Sequence, residues 1–382
     1  MMRCAECKGR LFCGLPQCPI TSRFHAQVRA AARGREYMGS APSVFVGSYG
    51  YPAVSAGPLM SADADSPPEW VARGLSIEDI VGIRAQTIRG SAQPAAISGQ
   101  MQEIALSSAP LDVEAGFDRP VSFDLRFDGT VTPVGLSGTI VRLDVIDNAR
   151  VSRVVDRITS DTDLPAAEAC LSLGSDGVDV YQISRLMSVG LLGKKRRIVP
   201  TRWAITAVDD TVGTGLKQEI ARLSPLTRIE VFSATLHGNT IAVILVPGDW
   251  RFEMIEIWGR RSLWAGEEES IVTDGERMKK RGYSPIAGAY YAARLAVLEY
   301  LGRTGRSGRA VVVRHAGSEY WAPLGSWVIR EATRAAMSSR PVYCATLEEA
   351  MTRVDTAIRS PSWRAHSRLI PEMRSQKTLF DF

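Results

Sequence analysis

The sequence has no long hydrophobic run. No apolar stretch approaches the roughly 20 residues needed to cross a bilayer, and the first residues lack the apolar segment of a signal peptide. We therefore expect an intracellular protein without a membrane partner. The 382 residues are 45% hydrophobic and 23% charged, which is typical of a globular protein with two domains, or one large domain with additional segments.

Cysteine and histidine are scarce over most of the chain. Only Cys170 and Cys344 lie outside the first 18 residues, a distribution that argues against a disulfide framework. The four histidines are scattered. The sequence also contains no P-loop, no G-x-S-x-G nucleophile elbow and no H-E-x-x-H metal motif. These absences leave open whether the chain is an enzyme.

A cysteine cluster stands at the start of the sequence. Cys4, Cys7, Cys13 and Cys18 have the spacing C-x2-C-x5-C-x4-C. Four thiolates in one short loop suit a tetrahedral metal site, and because no position is left open for catalysis we expect structural zinc. An iron–sulfur cluster is the alternative, since four cysteines followed by a proline also occur in such sites. Free cysteines in a disordered leader are the third possibility.

Hydrophobic patterning predicts an α+β, mixed α/β architecture in several parts. We expect a metal module, a larger α+β domain that contains an antiparallel meander, a smaller α/β domain and a flexible tail, at residues 1–20, 21–264, 265–360 and 361–382. The meander is predicted from three alternating segments, 228–236, 240–246 and 250–258. From Arg359 onward, a Ser/Arg/Pro-rich stretch predicts a tether.

Two local patterns carry more specific predictions. Ser76 and Asp79 form a capping-box pattern, so we expect a helix that begins there and ends near Gly90. The segment 44–52 starts as a strand and breaks into a Gly/Tyr/Pro turn. Its glycines would let a ligand approach the backbone, but a surface turn whose tyrosines pack on the core is the interpretation we favour.

Acidic and aromatic residues mark a candidate site in the middle of the chain. Glu253 and Glu256 lie between two tryptophans, and could hold a metal or act as acid and base near a stacked base. Strand alternation places them on opposite faces, so solvent-facing acids on an edge strand are the alternative. Tyr290 and Arg294, one helical turn apart, could bind a nucleotide or only join two domains.

Basic residues form loops that could contact nucleic acid. The net charge is +5 and the pI about 8.9, which permits such contact without requiring it. Such loops can follow a phosphate backbone, although solvated loops are the alternative. The candidates are Lys194, Lys195, Arg196 and Arg197, then Arg303, Arg306 and Arg309, and a further group of Arg277, Lys279, Lys280 and Arg281.

The last seven residues resemble the PIP motif, the peptide with which proteins dock on the DNA sliding clamp PCNA. They are Gln376, Lys377, Thr378, Leu379, Phe380, Asp381 and Phe382. One helical turn would bring Leu379 and Phe382 to one side as an apolar plug, with Gln376 beside it for a polar site. A tail that folds back on its own core is the alternative.

These features together resemble the archaeal Nre family over essentially the whole chain. The match also includes the blocks Pro247–Glu253 and Ala287–Glu299. The resemblance implies participation in DNA damage repair, and it carries no established catalytic residues. It further implies a zinc module and a clamp-binding tail, which map to Cys4, Cys7, Cys13 and Cys18, and to Gln376, Leu379, Phe380 and Phe382.

Three functional hypotheses follow from the sequence. The first is a repair factor recruited to PCNA that contacts DNA through its zinc module and basic loops. The second is a repair enzyme, either a metal-dependent nuclease or a hydrolase of damaged DNA or nucleotides, with its site in the acidic and aromatic core. The third is a non-enzymatic adaptor between the clamp and another repair protein.

Overall fold

The computed structural model describes residues 10–11, 14–18, 20–22, 34–122, 135–277, 280 and 282–375. The chain divides into two compact units. The N-terminal unit is Cys18–Val212, and the C-terminal unit is Gly213–Phe382 together with Met1–Gln17. The predicted domain boundary after residue 264 falls inside the C-terminal unit. In the described part of the chain, no helix has the length and apolarity to cross a membrane.

The N-terminal unit contains a six-stranded sheet in the order β1-β5-β6-β4-β3-β2. Neighbouring strands are antiparallel except for β4 and β6, which are parallel. Alternation explains strands such as β5, whose first, third and fifth residues are buried. The strands are β1 Glu36–Ala41, β2 Ser43–Val46, β3 Ala56–Met60, β4 Ile88–Ser91, β5 Leu111–Phe117 and β6 Leu136–Val145.

Seven α-helices accompany this sheet in the described residues. They are α1 Pro67–Ala72, α2 Ile77–Gln86, α3 Ser98–Leu106, α4 Arg153–Ser160, α5 Ala166–Ser175, α6 Val180–Ser188 and α7 Thr201–Ile220, and α7 contains the boundary between the units. The predicted capping box is confirmed: Asp79 N–H donates to Ser76 Oγ at 3.1 Å, and Ser76 N–H donates to the Asp79 carboxylate at 2.8 Å.

The predicted end of helix α2 near Gly90 is wrong. The helix ends at Gln86, and Ile88–Ser91 forms strand β4 between β3 and β6. Gly90 is a glycine because of close packing in the sheet, since a Cβ there would lie 2.3 Å from the Ile140 Cδ1 atom. The glycine that the sequence pattern assigned to a helix end therefore belongs to a strand.

The C-terminal unit contains a second six-stranded sheet, in the order β10-β9-β11-β8-β7-β12. The predicted hairpin of β7 and β8 is confirmed, but the third strand of the meander is not its neighbour. Strand β11 lies between β8 and β9, antiparallel to β8 and parallel to β9. The strands are β7 Ile229–Leu236, β8 Asn239–Val246, β9 Arg251–Trp258, β10 Ser270–Glu276, β11 Arg309–Ala316 and β12 Val342–Cys344.

Helices cover both faces of this sheet. On one face α8 contacts the sheet through ring pairs such as Phe252–Tyr290, and α9 joins α8 through the Arg334–Glu299 ion pair. On the other face, α10, a 3-10 turn at Ser362–His366 and α11 bury side chains against the sheet in one apolar cluster. The helices are α8 Gly288–Thr304, α9 Trp327–Ser338, α10 Leu347–Ile358 and α11 Leu369–Ser375.

The predicted tether from Arg359 is wrong as far as Ser375. Trp363 is fully buried, and its indole N–H donates to the Asp355 carboxylate at 2.8 Å. Leu369 and Ile370 of α11 belong to the same apolar cluster as the sheet. Two aliphatic residues and one tryptophan therefore hold this polar stretch on the sheet, and the PIP-like residues 376–382 lie outside the described residues.

Candidate nucleic-acid interface

The basic run at 194–197 occupies a tight loop between α6 and α7. Gly190 and Gly193 have positive φ angles of 74° and 85°. A Cβ at Gly190 would lie 2.8 Å from the Arg196 carbonyl oxygen, so the loop closes on itself there. Arg196 fastens it, because its guanidinium donates to the carbonyl oxygens of Asp161, at 2.9 Å, and of Leu191. Arg196 therefore has a structural role in this loop.

The other three cations of the run face solvent. Lys194, Lys195 and Arg197 are exposed. Among the residues that the structure describes, no carboxylate or hydrogen-bond acceptor pairs with any of them. Three unpaired cations on one glycine-bounded loop can bind phosphate oxygens, and each contact would release counterions from a nucleic acid.

The arginines at 303, 306 and 309 do not share one surface. Arg303 and Arg306 are exposed at the end of α8, where Arg303 lies 5.7 Å from the ring centre of Tyr300. Arg309 is half-buried on β11, and a Cβ at Gly248 would lie 2.6 Å from its Nε. Burial lowers the pKa of Arg309, and the neighbouring Arg251 lowers it further. Only the first two are placed to meet a phosphate from solvent.

The remaining basic group is partly neutralised. Lys280 donates to the Asp274 carboxylate at 2.6 Å, and Arg277 lies 3.4 Å from Glu372. Lys279 and Arg281 are outside the described residues. This group therefore offers less free positive charge than the loop at 194–197.

Glu253 is a buried cap for the last helix. It lies on the sheet face that carries α11 and accepts hydrogen bonds from Ser367 Oγ at 2.5 Å, Arg368 N at 2.7 Å and Leu369 N at 3.3 Å. Burial raises the pKa of this carboxyl, although the three donors act in the opposite direction. A carboxylate before the first turn of α11 also suits the positive end of the helix dipole.

Glu256 lies on the opposite face, as strand alternation predicted. Its carboxylate accepts from Arg314 Nη1 at 2.5 Å and from the indole N–H of Trp258 at 2.8 Å. Arg314 also donates to Asn239 Oδ1 at 3.0 Å. Both glutamates are buried on a strand with two neighbours, so the alternative of solvent-facing acids on an edge strand is wrong. The structure does not bring the two carboxylates together.

Tyr290 and Arg294 lie together in the buried core of the C-terminal unit. Arg294 donates to Glu276 at 2.9 Å, and Lys217 donates to the same carboxylate at 3.2 Å. Lys280 Nζ lies 5.0 Å from the ring centre of Tyr290. Burial, followed by the charge of Glu276, raises the pKa of the Tyr290 phenol. The sequence pattern did not reveal Glu276 and Lys217 as partners of Arg294, because Glu276 stands in a polar stretch that resembles a domain boundary.

The predicted metal site falls almost wholly outside the described residues. Of its four cysteines the structure describes only Cys18, which is half-buried with a free thiol, and Cys4, Cys7 and Cys13 are not described. Within the described ranges, no three histidine, cysteine or acidic side chains are grouped as metal ligands. Zinc and the iron–sulfur alternative both stay predictions.

Comparisons with known proteins identify the same family along both parts of the chain. Residues 12–265 match the family described as "Archaeal Nre, N-terminal", and residues 276–382 match "Archaeal Nre, C-terminal". The chain is 36% identical over 397 residues to DNA repair protein NreA of Archaeoglobus fulgidus, covering 100% of this chain and 99% of the relative. DNA repair protein NreB of that organism is 35% identical over 396 residues, with 100% of both chains covered.

A third relative gives a similar result. DNA repair protein NreA of Haloferax volcanii is 35% identical over 343 residues, which cover 83% of this chain and 82% of the relative. No solved structure matches the chain.

Proposed function

Because this chain belongs to the archaeal Nre family, we propose that it takes part in DNA repair as a factor recruited to the sliding clamp PCNA. The observation that carries the proposal is the similarity to three proteins named as DNA repair proteins, two of which match over at least 99% of their length. A match of this extent includes both units, so it supports a shared role for the whole chain.

DNA contact through the loop at 194–197 is the first part of the proposal. Lys194, Lys195 and Arg197 are exposed, and they are free of carboxylate partners in the described part of the chain. Arg303 and Arg306 add a second exposed pair. Each phosphate contact changes the slope of log affinity against log salt by about 0.9 for duplex DNA. Three contacts therefore account for a slope of roughly 2 to 3.

A matched pair of variants tests this contact. The first neutralises Lys194, Lys195 and Arg197 by changing each to Gln. The control neutralises three exposed arginines of the same unit that already lie beside carboxylates, and these are Arg119, Arg142 and Arg157. The proposal predicts that only the first variant loses about 2 to 3 units of salt slope in a fluorescence anisotropy titration with duplex DNA. Equal losses in both variants would show that net charge alone matters.

Clamp docking by residues 376–382 is the second part. The described chain reaches Ser375 at the end of α11, and this helix is held on the sheet by the buried side chains of Leu369 and Ile370 and by hydrogen bonds to Glu253. A docking peptide that starts one residue later would leave little freedom between clamp and protein, which favours DNA contacts through a high effective concentration.

Calorimetry with PCNA tests the docking. The full chain should bind, and a version that ends at Ser375 should not. Phe382→Ala in the full chain is the milder perturbation and should weaken binding, because it removes an apolar anchor. If the shortened chain bound as tightly as the full chain, docking would belong to another surface.

A zinc module formed by Cys4, Cys7, Cys13 and Cys18 is the third part. Zinc bound by four thiolates is colourless, whereas an iron–sulfur cluster absorbs visible light, so a spectrum and a metal analysis of the purified protein separate the two. The proposal predicts one zinc per chain and loss of that zinc in Cys4→Ser. A coloured protein that contains iron would overturn the choice of metal.

A further inference from the structure

We propose that Tyr49, Tyr51 and Trp203 form a platform on which unpaired bases of single-stranded DNA stack, at the start of the helix that follows the basic loop at 194–197 in sequence. The inference rests on the proposed DNA contact and adds the form of DNA that the N-terminal unit would hold. All three side chains are exposed to solvent: Tyr49 is 97% exposed, Tyr51 42% and Trp203 44%. The expectation that the tyrosines of this turn pack on the core is therefore wrong.

The fold brings two distant segments together to make this platform. The tyrosines lie in the turn after β2, and Trp203 lies in the first turn of α7. The two segments are joined where Val46 N–H donates to Thr201 Oγ1 at 2.9 Å. The rings of Tyr51 and Trp203 meet edge to face, with centroids 5.1 Å apart and planes at 62°. The turn itself closes through a hydrogen bond of 2.9 Å from Gly47 N–H to the Ser55 carbonyl oxygen.

Core packing does not explain these aromatic side chains. In the same part of α7, Ala204 and Val208 are fully buried and face the core, while Trp203 faces solvent. A tryptophan and two tyrosines exposed together leave apolar ring surface in water, and this exposure is energetically unfavourable unless a partner covers the rings. An aromatic platform for a ligand accounts for their position.

The surrounding charge favours a nucleic acid as that partner. The exposed Arg197 and Arg202 flank the start of α7, only a few residues from Trp203, and the exposed Lys194 and Lys195 precede them in the same loop. The first turn of α7 adds the positive end of a helix dipole. Cations that follow the phosphates, combined with rings that stack on bases, are the usual means by which proteins bind single strands without reading sequence.

Single-stranded DNA fits this surface better than a duplex. In a duplex, each base face is covered by its neighbours, so an exposed ring finds nothing on which to stack. Base–ring stacking is sequence-tolerant because every base has a π face. The platform would therefore add affinity for gaps, flaps or frayed ends, while the basic loop would contribute to single strands and duplexes alike.

Anisotropy titrations with two probes test the platform in the full-length protein. The probes are labelled oligothymidylate of about 20 nucleotides, longer than the site of a typical single-strand module, and a duplex of equal length. Tyr49→Ala and Trp203→Ala should each weaken single-strand binding by about 5- to 100-fold and change duplex binding less than twofold. Tyr49→Phe and Trp203→Phe keep a ring and should retain near-native affinity.

Controls separate this inference from the DNA contact on which it rests. Tyr343→Ala removes another exposed aromatic residue, from strand β12, and should change neither affinity. If the wild-type protein binds DNA but both alanine variants bind the single strand normally, the platform is wrong and the DNA contact stands. If single-strand and duplex affinities fall equally, the preference for unpaired bases is wrong. If the wild-type protein binds neither probe, the proposed DNA contact and the platform both fail.

Discussion

Removal of the Glu253 carboxylate should release the last helix from the sheet. In Glu253→Ala, Ser367 Oγ and the backbone N–H groups of Arg368 and Leu369 lose their acceptor in a buried site. A hydrogen bond to a charged group contributes about 1.5–3 kcal/mol, and loss of a helix cap alone costs about 1 kcal/mol. Part of this loss is offset because the variant no longer buries a carboxyl whose pKa is raised by burial. We expect a net loss of about 2–4 kcal/mol.

Hydrogen exchange measured by mass spectrometry can detect this change locally. A loss of about 2–4 kcal/mol in the opening free energy of α11 corresponds to exchange about 30- to 1,000-fold faster in its amides. Glu372→Ala is the matched control, since Glu372 lies on the same helix but is partly exposed. An exposed ion pair contributes about 0.2–1 kcal/mol, so this control should accelerate exchange only a few-fold.

The result also bears on the enzyme hypothesis. If Glu253 is a helix cap, Glu253→Ala changes the exchange of α11, and the proposed PCNA docking through the adjoining residues should weaken because these residues lose their support. If α11 kept its native exchange in this variant, the capping role of Glu253 would be refuted. A catalytic role for Glu253 would then regain weight.

Three further predictions concern stability. Glu276→Ala leaves Arg294 and Lys217 buried without their shared carboxylate and should cost about 3–5 kcal/mol in a urea titration. Gly57→Ala should be strongly destabilising, because the new Cβ would lie 2.2 Å from a backbone oxygen, whereas Gly82→Ala, in open space within α2, should gain about 0.5–1 kcal/mol. Asp79→Asn should flatten the loss of stability in acid, because hydrogen bonds from Ser76 lower the pKa of Asp79.

The sign of the acid effect follows from linkage. Because the folded state holds the Asp79 pKa below its ordinary value of 3.8, the unfolded chain binds the proton more readily. The stabilisation is therefore present above that ordinary value and is lost as the pH falls through the lowered folded value. A wild-type protein and an Asp79→Asn variant with identical acid unfolding curves would contradict this role.

Comparison with a second variant tests the predictions for Glu276→Ala and Gly57→Ala. If Glu276→Ala lowered stability no more than Glu267→Ala, which removes an exposed partner of Arg261, the buried cluster would not be held by its carboxylate. If Gly57→Ala were as stable as Gly82→Ala, the close approach in the sheet would not be a constraint.

Local patterns in the sequence predicted local structure well. The capping box of Ser76 and Asp79 and the β7–β8 hairpin depend on residues a few positions apart, and both are confirmed. The position of β11 between β8 and β9 was not predicted. A buried apolar segment such as 310–313 indicates a central strand, but its sequence does not indicate which strands pair with it. Pairing across more than 50 residues of sequence is decided by tertiary packing.

In the candidate sites, too, the contacts between segments distant in sequence could not be predicted. Strand alternation correctly placed Glu253 and Glu256 on opposite faces of the sheet. Their hydrogen-bond partners, Ser367 and Arg314, could not be predicted because they are 114 and 58 residues away in sequence. The sequence analysis did not single out Trp203, because its exposure beside Tyr51 is visible only in the folded chain. Basic loops were recognisable from composition, whereas the inward turn of Arg196 was not.

Survival of a strain that lacks this chain tests the proposed role in DNA repair most directly. Cells would be exposed to ultraviolet light, an alkylating agent and a crosslinking agent, with the deleted gene replaced by the full-length chain or by a version that ends at Ser375. A role in repair through clamp docking predicts that the deletion strain is more sensitive to at least one agent, and that the full chain restores survival whereas the shortened chain does not. Wild-type survival of the deletion strain under all three agents would contradict the proposed function.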